Sequence, residues 1–130
     1  MTFPSTSAPS PADEDHHLIK GMVVRTLLLD VLERDIQTLD GLLLKMPEVY
    51  ILSLTRIQNQ VLKEMQELRK QMRTRGVKIV QEIRGKDGIE TIYLCRGYGQ
   101  RFYMLWTFAR NEVKKELSYH LRIDLTQSQT

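Results

Sequence analysis

The sequence has a single cysteine, Cys95, and no long hydrophobic run. With one cysteine no intrachain disulfide can form, which fits a reducing compartment. No apolar stretch approaches the roughly 18 residues that a membrane-spanning helix requires. The N-terminus also lacks the basic stretch followed by an apolar one that marks a secretory signal. We therefore expect a soluble cytoplasmic protein with no membrane partner.

Motifs for catalysis and cofactor binding are also missing. The sequence has no Walker loop, no dinucleotide fingerprint and no Cys/His/Asp/Glu set with metal-ligand spacing. His120 lies at the end of the last predicted helix, where a surface histidine stabilised by the helix dipole is expected. Cys95 lies in an apolar strand, where an inert thiol is expected. The sequence therefore predicts no enzyme, no cofactor, no metal site and no small-molecule substrate.

Charge is moderate overall but unevenly distributed along the chain. The formal net charge is +3, which is too small to indicate a nucleic-acid-binding protein. Residues 1–59 contain 5 Lys/Arg and 8 Asp/Glu, whereas residues 60–123 contain 14 and 7. The second half is therefore basic. Solvated helix faces account for such a bias, and an anionic partner is the alternative.

The N-terminal part of the chain predicts a long helix. Ser10-Pro11 is typical of a helix start, with a Ser N-cap and Pro at the first helical position. The long helix itself is expected over about 18–40. His16 and His17 precede it, and adjacent helical residues do not face each other, so the pair is a poor chelate. We expect both histidines to be exposed.

The second helix, expected over 47–74, has the most regular apolar pattern in the chain. Pro47 suits its first turn, and Gly76 suits its end. Apolar residues recur every three or four positions, as in a coiled coil: Tyr50, Leu54, Ile57, Val61, Met65, Leu68 and Met72. Two long helices joined by the short connector 42–46 predict an antiparallel helical hairpin.

A β-hairpin is predicted after the second helix. Two runs rich in β-branched and aromatic residues cover 77–83 and 89–94, with Gly85-Lys86-Asp87-Gly88 between them. Asp-Gly between such runs indicates a tight turn, because glycine accepts a positive φ. A two-residue Asp87-Gly88 turn and a longer loop that includes Gly85 both fit, so the register stays open. An isolated hairpin is marginal in water, so this one must pack on the helices.

A third helix is expected over about 100–121. Its apolar stripe comprises Leu105, Phe108, Ala109, Val113, Leu117 and Leu121. The predicted fold class is therefore α+β: an antiparallel pair of long helices, a β-hairpin and a C-terminal helix, in the order α-α-β-β-α. Residues 10–123 are expected to form a single domain. Residues 1–9 are expected to be a disordered tail, and residues 124–130 a frayed one.

The stretch Arg96-Gly97-Tyr98-Gly99-Gln100-Arg101 is the main candidate for ligand binding. Between a strand and a helix start, its two glycines would let backbone N–H groups approach an anion. Arg96 and Arg101 flank these glycines, and Tyr98 could stack on a base. On the third helix, Arg110 and Lys114 could contact phosphate. The alternative explanation is a tight turn in which Gly97 and Gly99 only supply unusual backbone angles and Tyr98 packs on the core.

Self-association is predicted through the first helix, because this helix is apolar around much of its circumference. This circumference exceeds what one neighbouring helix covers, so the dimer contact is expected through residues 18–32 or through their edge of Val24, Leu28 and Val31. The preferred function is a small non-enzymatic binding or regulatory protein that forms a homodimer or binds a protein partner. The alternative is a nucleic-acid-binding regulator that uses the basic half and the Arg96–Arg101 stretch.

Overall fold

The computed structural model describes residues 11–127 and confirms the α+β class, with one strand more than predicted. The predicted tail 1–9, the N-cap Ser10 and residues 128–130 lie outside the described residues. The elements in chain order are α1 (Pro11–Asp40), α2 (Pro47–Arg75), β1 (Val77–Arg84), β2 (Gly88–Cys95), β3 (Tyr98–Leu105), α3 (Trp106–Leu121) and a 3₁₀ helix (Leu125–Gln127). Part of the segment that we expected to fray, 124–130, thus forms a short 3₁₀ helix.

Helices α1 and α2 form the predicted antiparallel hairpin. The N-terminal turns of α1 lie beside the C-terminal turns of α2, where Asp15 contacts Arg75, and further along Arg25 contacts Glu64. Helix α2 ends as the sequence indicates. Gly76 takes a left-handed conformation with φ 71°, and its N–H donates to the last carbonyl groups of the helix.

The three strands form an antiparallel meander in the order β1-β2-β3. Arg84 pairs with Ile89 at the closed end of the first hairpin, so the connection is the longer loop 85–87 rather than a two-residue Asp87-Gly88 turn. A bulge between Ile79 and Gln81 shifts the register once. The loop 85–87 also contacts α3, because the Trp106 indole N–H donates to the Gly85 carbonyl oxygen at 2.9 Å.

The prediction of a helix from residue 100 is wrong, because residues 98–105 form β3 and α3 begins at Trp106. In β3 the side chains of Phe102 and Met104 are buried and that of Tyr103 is exposed, which is the alternation of a strand. Phe102 and Trp106 are four residues apart, so the sequence also fits a helical stripe. Pairing with β2 decides between the two patterns in favour of the strand.

The core lies between one face of the sheet and the three helices. Its buried apolar residues are Leu18, Ile19, Met22, Val23, Val24, Leu27, Leu28, Leu32, Ile57, Val61, Met65, Met72, Val77, Ile89, Tyr93, Phe102, Met104, Ala109 and Val113. All of the α1 residues in this set precede residue 33. Among the described residues, no helix combines the length and the hydropathy that crossing a membrane requires.

Two of the three residues of the predicted self-association edge of α1 belong to this core. Leu28 is 0% exposed and Val24 is also buried, whereas Val31 is 38% exposed. Helix α1 packs against α2 and α3 and also touches β3. Its wide apolar circumference is therefore covered within one chain, which the sequence pattern could not distinguish from coverage by a second chain.

Candidate functional site

The glycine stretch does not lie at a helix start. Arg96 and Gly97 form the turn between β2 and β3, with positive φ at both residues, 51° and 90°. Positive φ at both central positions is the backbone of the favoured two-residue hairpin turn. The nearest following helix begins only at Trp106. No helix dipole therefore acts on an anion at Gly97-Tyr98-Gly99. The tight-turn alternative describes Arg96 and Gly97, whereas Gly99 has no positive φ and Tyr98 is exposed rather than packed on the core.

Arg96 is held by an ion-pair network around Asp15. The Asp15 side chain is 2% exposed, and its carboxylate accepts hydrogen bonds from Arg75 Nε at 2.6 Å, Arg96 Nη2 at 2.8 Å and the Cys95 thiol at 2.8 Å. Arg96 Nη1 also donates to the Arg75 carbonyl oxygen. Arg96 therefore anchors the β2–β3 turn to the start of α1 and to the end of α2.

The same network shifts the pKa values of its members. Burial alone would raise the pKa of Asp15, but hydrogen bonds from Cys95, Arg75 and Arg96 outweigh it and lower the pKa to about 2. The hydrogen bond to the Asp15 carboxylate, with burial, raises the pKa of the Cys95 thiol. Cys95 therefore stays protonated as a donor, which agrees with the inert thiol expected from the sequence.

The other predicted anion contacts do not join Arg96 on one face. Arg101 projects from the face of the sheet that the helices leave open, and its Nη1 lies 3.4 Å from Glu90 Oε2. Arg110 and Lys114 are exposed on α3, beside an apolar groove between α1 and α3. Tyr98 is exposed at the β2–β3 turn, and Gly99 has open space around its Cα. Arg96 and Arg101 each lie beside an acidic residue. Positive and negative charges therefore alternate here, as they would not on a basic surface for nucleic acid.

Large apolar side chains are exposed at the connected end of the helical hairpin. We call this region the distal end and define it as residues 36–54: the last turn of α1, the connector and the first two turns of α2. Six of its apolar residues are exposed: Leu42, Leu43, Met46, Val49, Tyr50 and Leu52. Leu43 is fully exposed, and Leu52 is 67% exposed. Grouped exposure of this kind marks interaction surfaces in soluble proteins.

Among the described residues, α3 covers only the edge of the distal end, because its C-terminal turn lies beside residues 53–60 of α2. At 1.5 Å per residue, the 29 residues of α2 extend roughly 43 Å and the 16 residues of α3 roughly 24 Å. Helix α3 packs along the rest of the hairpin, where Glu112 contacts Lys20, and it ends beside the middle of α2, where His120 contacts Gln60. Burial on α2 accordingly begins at Ile57. Tyr50, the first residue of the apolar pattern predicted for this helix, is exposed.

Comparison with known proteins gives a family and nothing more specific. The sequence model of a family described as YhjD protein matches residues 10–125, which is most of the chain. The chain belongs to the YhjD family. No curated protein and no solved structure match it.

A second partly apolar surface of this YhjD-family chain is the open face of the sheet. Register places Ile83, Ile92, Leu94 and Tyr103 on this face, alternating along the strands with the buried positions. Charged neighbours, including the paired Glu90 and Arg101, interrupt them. Such a face is ordinary for an antiparallel sheet with one side in water. The distal end exposes more large apolar side chains than the open sheet face does.

The sequence contains one indication of the exposed apolar surface at the distal end, within the segment that we interpreted only as a connector. Leu42-Leu43-Leu44 is apolar, although connectors between helices are usually polar. His120 was also misjudged as a surface residue, since its side chain is only 4% exposed. Position at a helix end suggests exposure for a histidine. Here, however, the last turn of α3 packs against α2, which no local pattern reveals.

Proposed function

We propose that this protein is a non-enzymatic binding protein that acts through the distal end of its helical hairpin, with a second copy of the chain as its partner. The observation that supports the proposal is the group of exposed apolar side chains from Leu42 to Leu52. An apolar side chain that leaves water contributes about 25 cal/mol per Å² of buried area. A surface of this composition therefore gains free energy when it is covered.

The chemistry of the distal end suits association with a like surface. Its charged residues are Asp40, Lys45 and Glu48, so both signs are present beside the apolar side chains. A two-fold interface places each residue of one copy opposite a different residue of the other. Lys45 of each copy can then face an acidic residue of its partner. Both helices can pair side by side with their copies in the manner of a four-helix bundle.

Sedimentation velocity on the full chain over a range of concentrations tests the proposal. We expect a wild-type dimer that dissociates on dilution, and a monomer when Leu43→Glu and Leu52→Glu are combined. Each carboxylate would have to be buried in the interface without a partner, which strongly opposes association. The folded chain leaves both positions in water, so the variant should keep the wild-type circular dichroism.

The matched control places the same charges on the open sheet face. Ile83→Glu combined with Leu94→Glu also adds two carboxylates at partly exposed apolar positions, and we expect it to dimerise as the wild type does. A wild type that sediments as a monomer at every concentration contradicts self-association. A dimer lost only in the sheet variant would move the interface to the sheet.

Nucleic-acid binding is less well supported as a function of this chain. Arg96 is held by Asp15, and Arg101 lies near Glu90, so two of the predicted phosphate contacts already have acidic partners. The prediction keeps its own test, which is binding to a mixed DNA and RNA pool at low salt. Affinity that falls steeply as salt is raised would support it, because each phosphate contact releases counterions.

A further inference from the structure

A histidine and two glutamates converge where the C-terminal turn of α3 meets α2. One ligand atom each from Glu64, Glu116 and His120 lie within 4.8 Å of one another. His120 Nε2 is 3.5 Å from Glu64 Oε2 and 3.9 Å from Glu116 Oε2. Two ligand atoms on one tetrahedral Zn²⁺, each at about 2.0–2.1 Å, lie roughly 3.3–3.4 Å apart. The three groups therefore need only small movements to share one ion.

The protonation of His120 leaves a lone pair directed into this cluster. His120 Nδ1 lies 3.2 Å from Gln60 Oε1, and a carbonyl oxygen only accepts, so Nδ1 carries the proton of that hydrogen bond. Nε2 is buried and has no hydrogen-bond partner. In the neutral ring its lone pair therefore faces two carboxylates. This arrangement is repulsive unless a proton on Nε2 or a metal ion lies between the ring and the carboxylates.

The surroundings of the three groups are those of a metal site. A ligating histidine usually donates its other ring N–H to a carbonyl or carboxylate group, and ligating carboxylates are themselves hydrogen-bonded. Gln60 serves the first role. Arg25 serves the second, because its Nε donates to Glu64 Oε1 at 2.9 Å and leaves Oε2 for the ion. Arg25 Nη2 lies 3.6 Å from Glu116 Oε2.

Charge and access also suit a divalent cation. The two carboxylates and the Arg25 guanidinium together carry one net negative charge when His120 is neutral. A cleft of about 690 Å³, lined by Gln60, Glu64 and His120 among others, opens beside the cluster and gives water and ions a route to it. Lys63 and Arg122 also line this cleft, so the ion must be held by ligand bonds and not by long-range attraction.

We propose that Glu64, Glu116 and His120 bind a divalent transition-metal ion of the Zn²⁺ type, which links α2 to the end of α3. Imidazole nitrogen selects transition metals, whereas Mg²⁺ and Ca²⁺ prefer oxygen ligands alone. Water from the cleft completes the coordination. The ion lies between His120 Nε2 and the two carboxylates and fixes the C-terminal turn of α3 on the helical hairpin.

Zn²⁺ itself is the probe, titrated calorimetrically into the full chain after dialysis against a chelator. The exposed His16 and His17 are first replaced by alanine, so that they cannot bind the ion. We expect one Zn²⁺ per chain and a higher thermal midpoint with Zn²⁺ than without it. Combining Glu64→Gln with Glu116→Gln should weaken binding at least about ten-fold and abolish the rise in the midpoint.

Two controls separate the site from incidental effects. Glu67→Gln removes an exposed glutamate on the same helix and should leave Zn²⁺ binding unchanged. Co²⁺ in place of Zn²⁺ should give visible absorption without a thiolate charge-transfer band, since Cys95 is not a ligand. The nitrogen NMR signal of His120 Nε2 should shift on addition of Zn²⁺, and Nδ1 should keep its proton.

Three results would overturn the proposal. They are the absence of Zn²⁺ binding, binding that survives the Glu64→Gln and Glu116→Gln pair, and a His120 signal that responds to protons but not to Zn²⁺. The last result would make the cluster an ion pair only. Self-association is tested by charges at Leu43 and Leu52 and metal binding by variants at Glu64 and Glu116, so each proposal can fail without the other.

Discussion

In the half of the helical hairpin that lies near the sheet, Leu28 and Val61 are fully buried, whereas at the distal end Leu43 and Leu52 are exposed. Both halves come from the same two helices and have a similar apolar pattern. They differ in what covers them, since α3 and the sheet pack on the first half, whereas the described part of the chain leaves most of the second half exposed. An apolar pattern therefore shows that a surface can be buried, and the length of the neighbouring elements decides whether it is.

The largest expected effect contrasts leucines of the two halves. Leu28→Ala should lower the free energy of unfolding by about 2–5 kcal/mol, because it leaves a cavity in the core. Leu43→Ala should change it by less than about 0.5 kcal/mol, because this side chain is already in water. Urea denaturation of the two variants, at a concentration where the chain is monomeric, measures both values. Similar losses in the two variants would contradict the proposed difference between the halves.

The ion-pair network around Asp15 should make the stability of the folded chain sensitive to acid. The folded pKa of Asp15, about 2, lies below its ordinary value of 3.8, so the stabilisation is present above pH 3.8 and is lost as the pH falls towards 2. A shift of this size corresponds to about 2 kcal/mol, and we expect about 1–2 kcal/mol because the half-exposed Arg96 is screened by water. Urea denaturation from neutral pH down to about pH 2 measures the loss.

The control for this prediction is Asp15→Asn, which cannot ionise. It should be less stable than the wild type at neutral pH and should lose less stability on acidification. Equal pH dependence in the two proteins would show that other carboxylates, and not Asp15, account for the sensitivity to acid.

Arg96 and Arg101, which flank the predicted anion-binding stretch, should contribute differently to thermal stability. Arg96→Ala should lower the thermal midpoint, because it removes one of the two cations on the buried Asp15 carboxylate. Arg101→Ala should leave the midpoint nearly unchanged, because this side chain is 73% exposed and its contact to Glu90 is long. Thermal melts of both variants measure the difference. A silent Arg96→Ala would contradict the structural role of the network.

The sequence predicted the helical hairpin and the first β-hairpin because their signals are local. The seam of α2, the Gly76 stop and the Gly85–Gly88 loop each follow from residues close together in the chain. The register was open because a tight turn and a longer loop both fit the glycines. Only pairing of Arg84 with Ile89 selected the longer loop.

The third strand and the partners of Arg96 and His120 could not be predicted in this way. Phe102 and Trp106 fit a helical spacing as well as a strand followed by a helix. Asp15 lies 81 positions from Arg96, and Gln60 lies 60 positions from His120. Contacts over such separations depend on how the elements pack, which a single sequence does not reveal.

Hydrogen exchange at low and high protein concentration tests the central claim most directly, because it reports on both halves of the hairpin in one experiment. We expect amide protection in residues 36–54 to rise with concentration, since a second copy covers the distal end. Protection of residues 57–72 should be high and independent of concentration, because the chain itself buries that half. Protection at the distal end that does not change with concentration, or a rise confined to the open sheet face, would contradict the account.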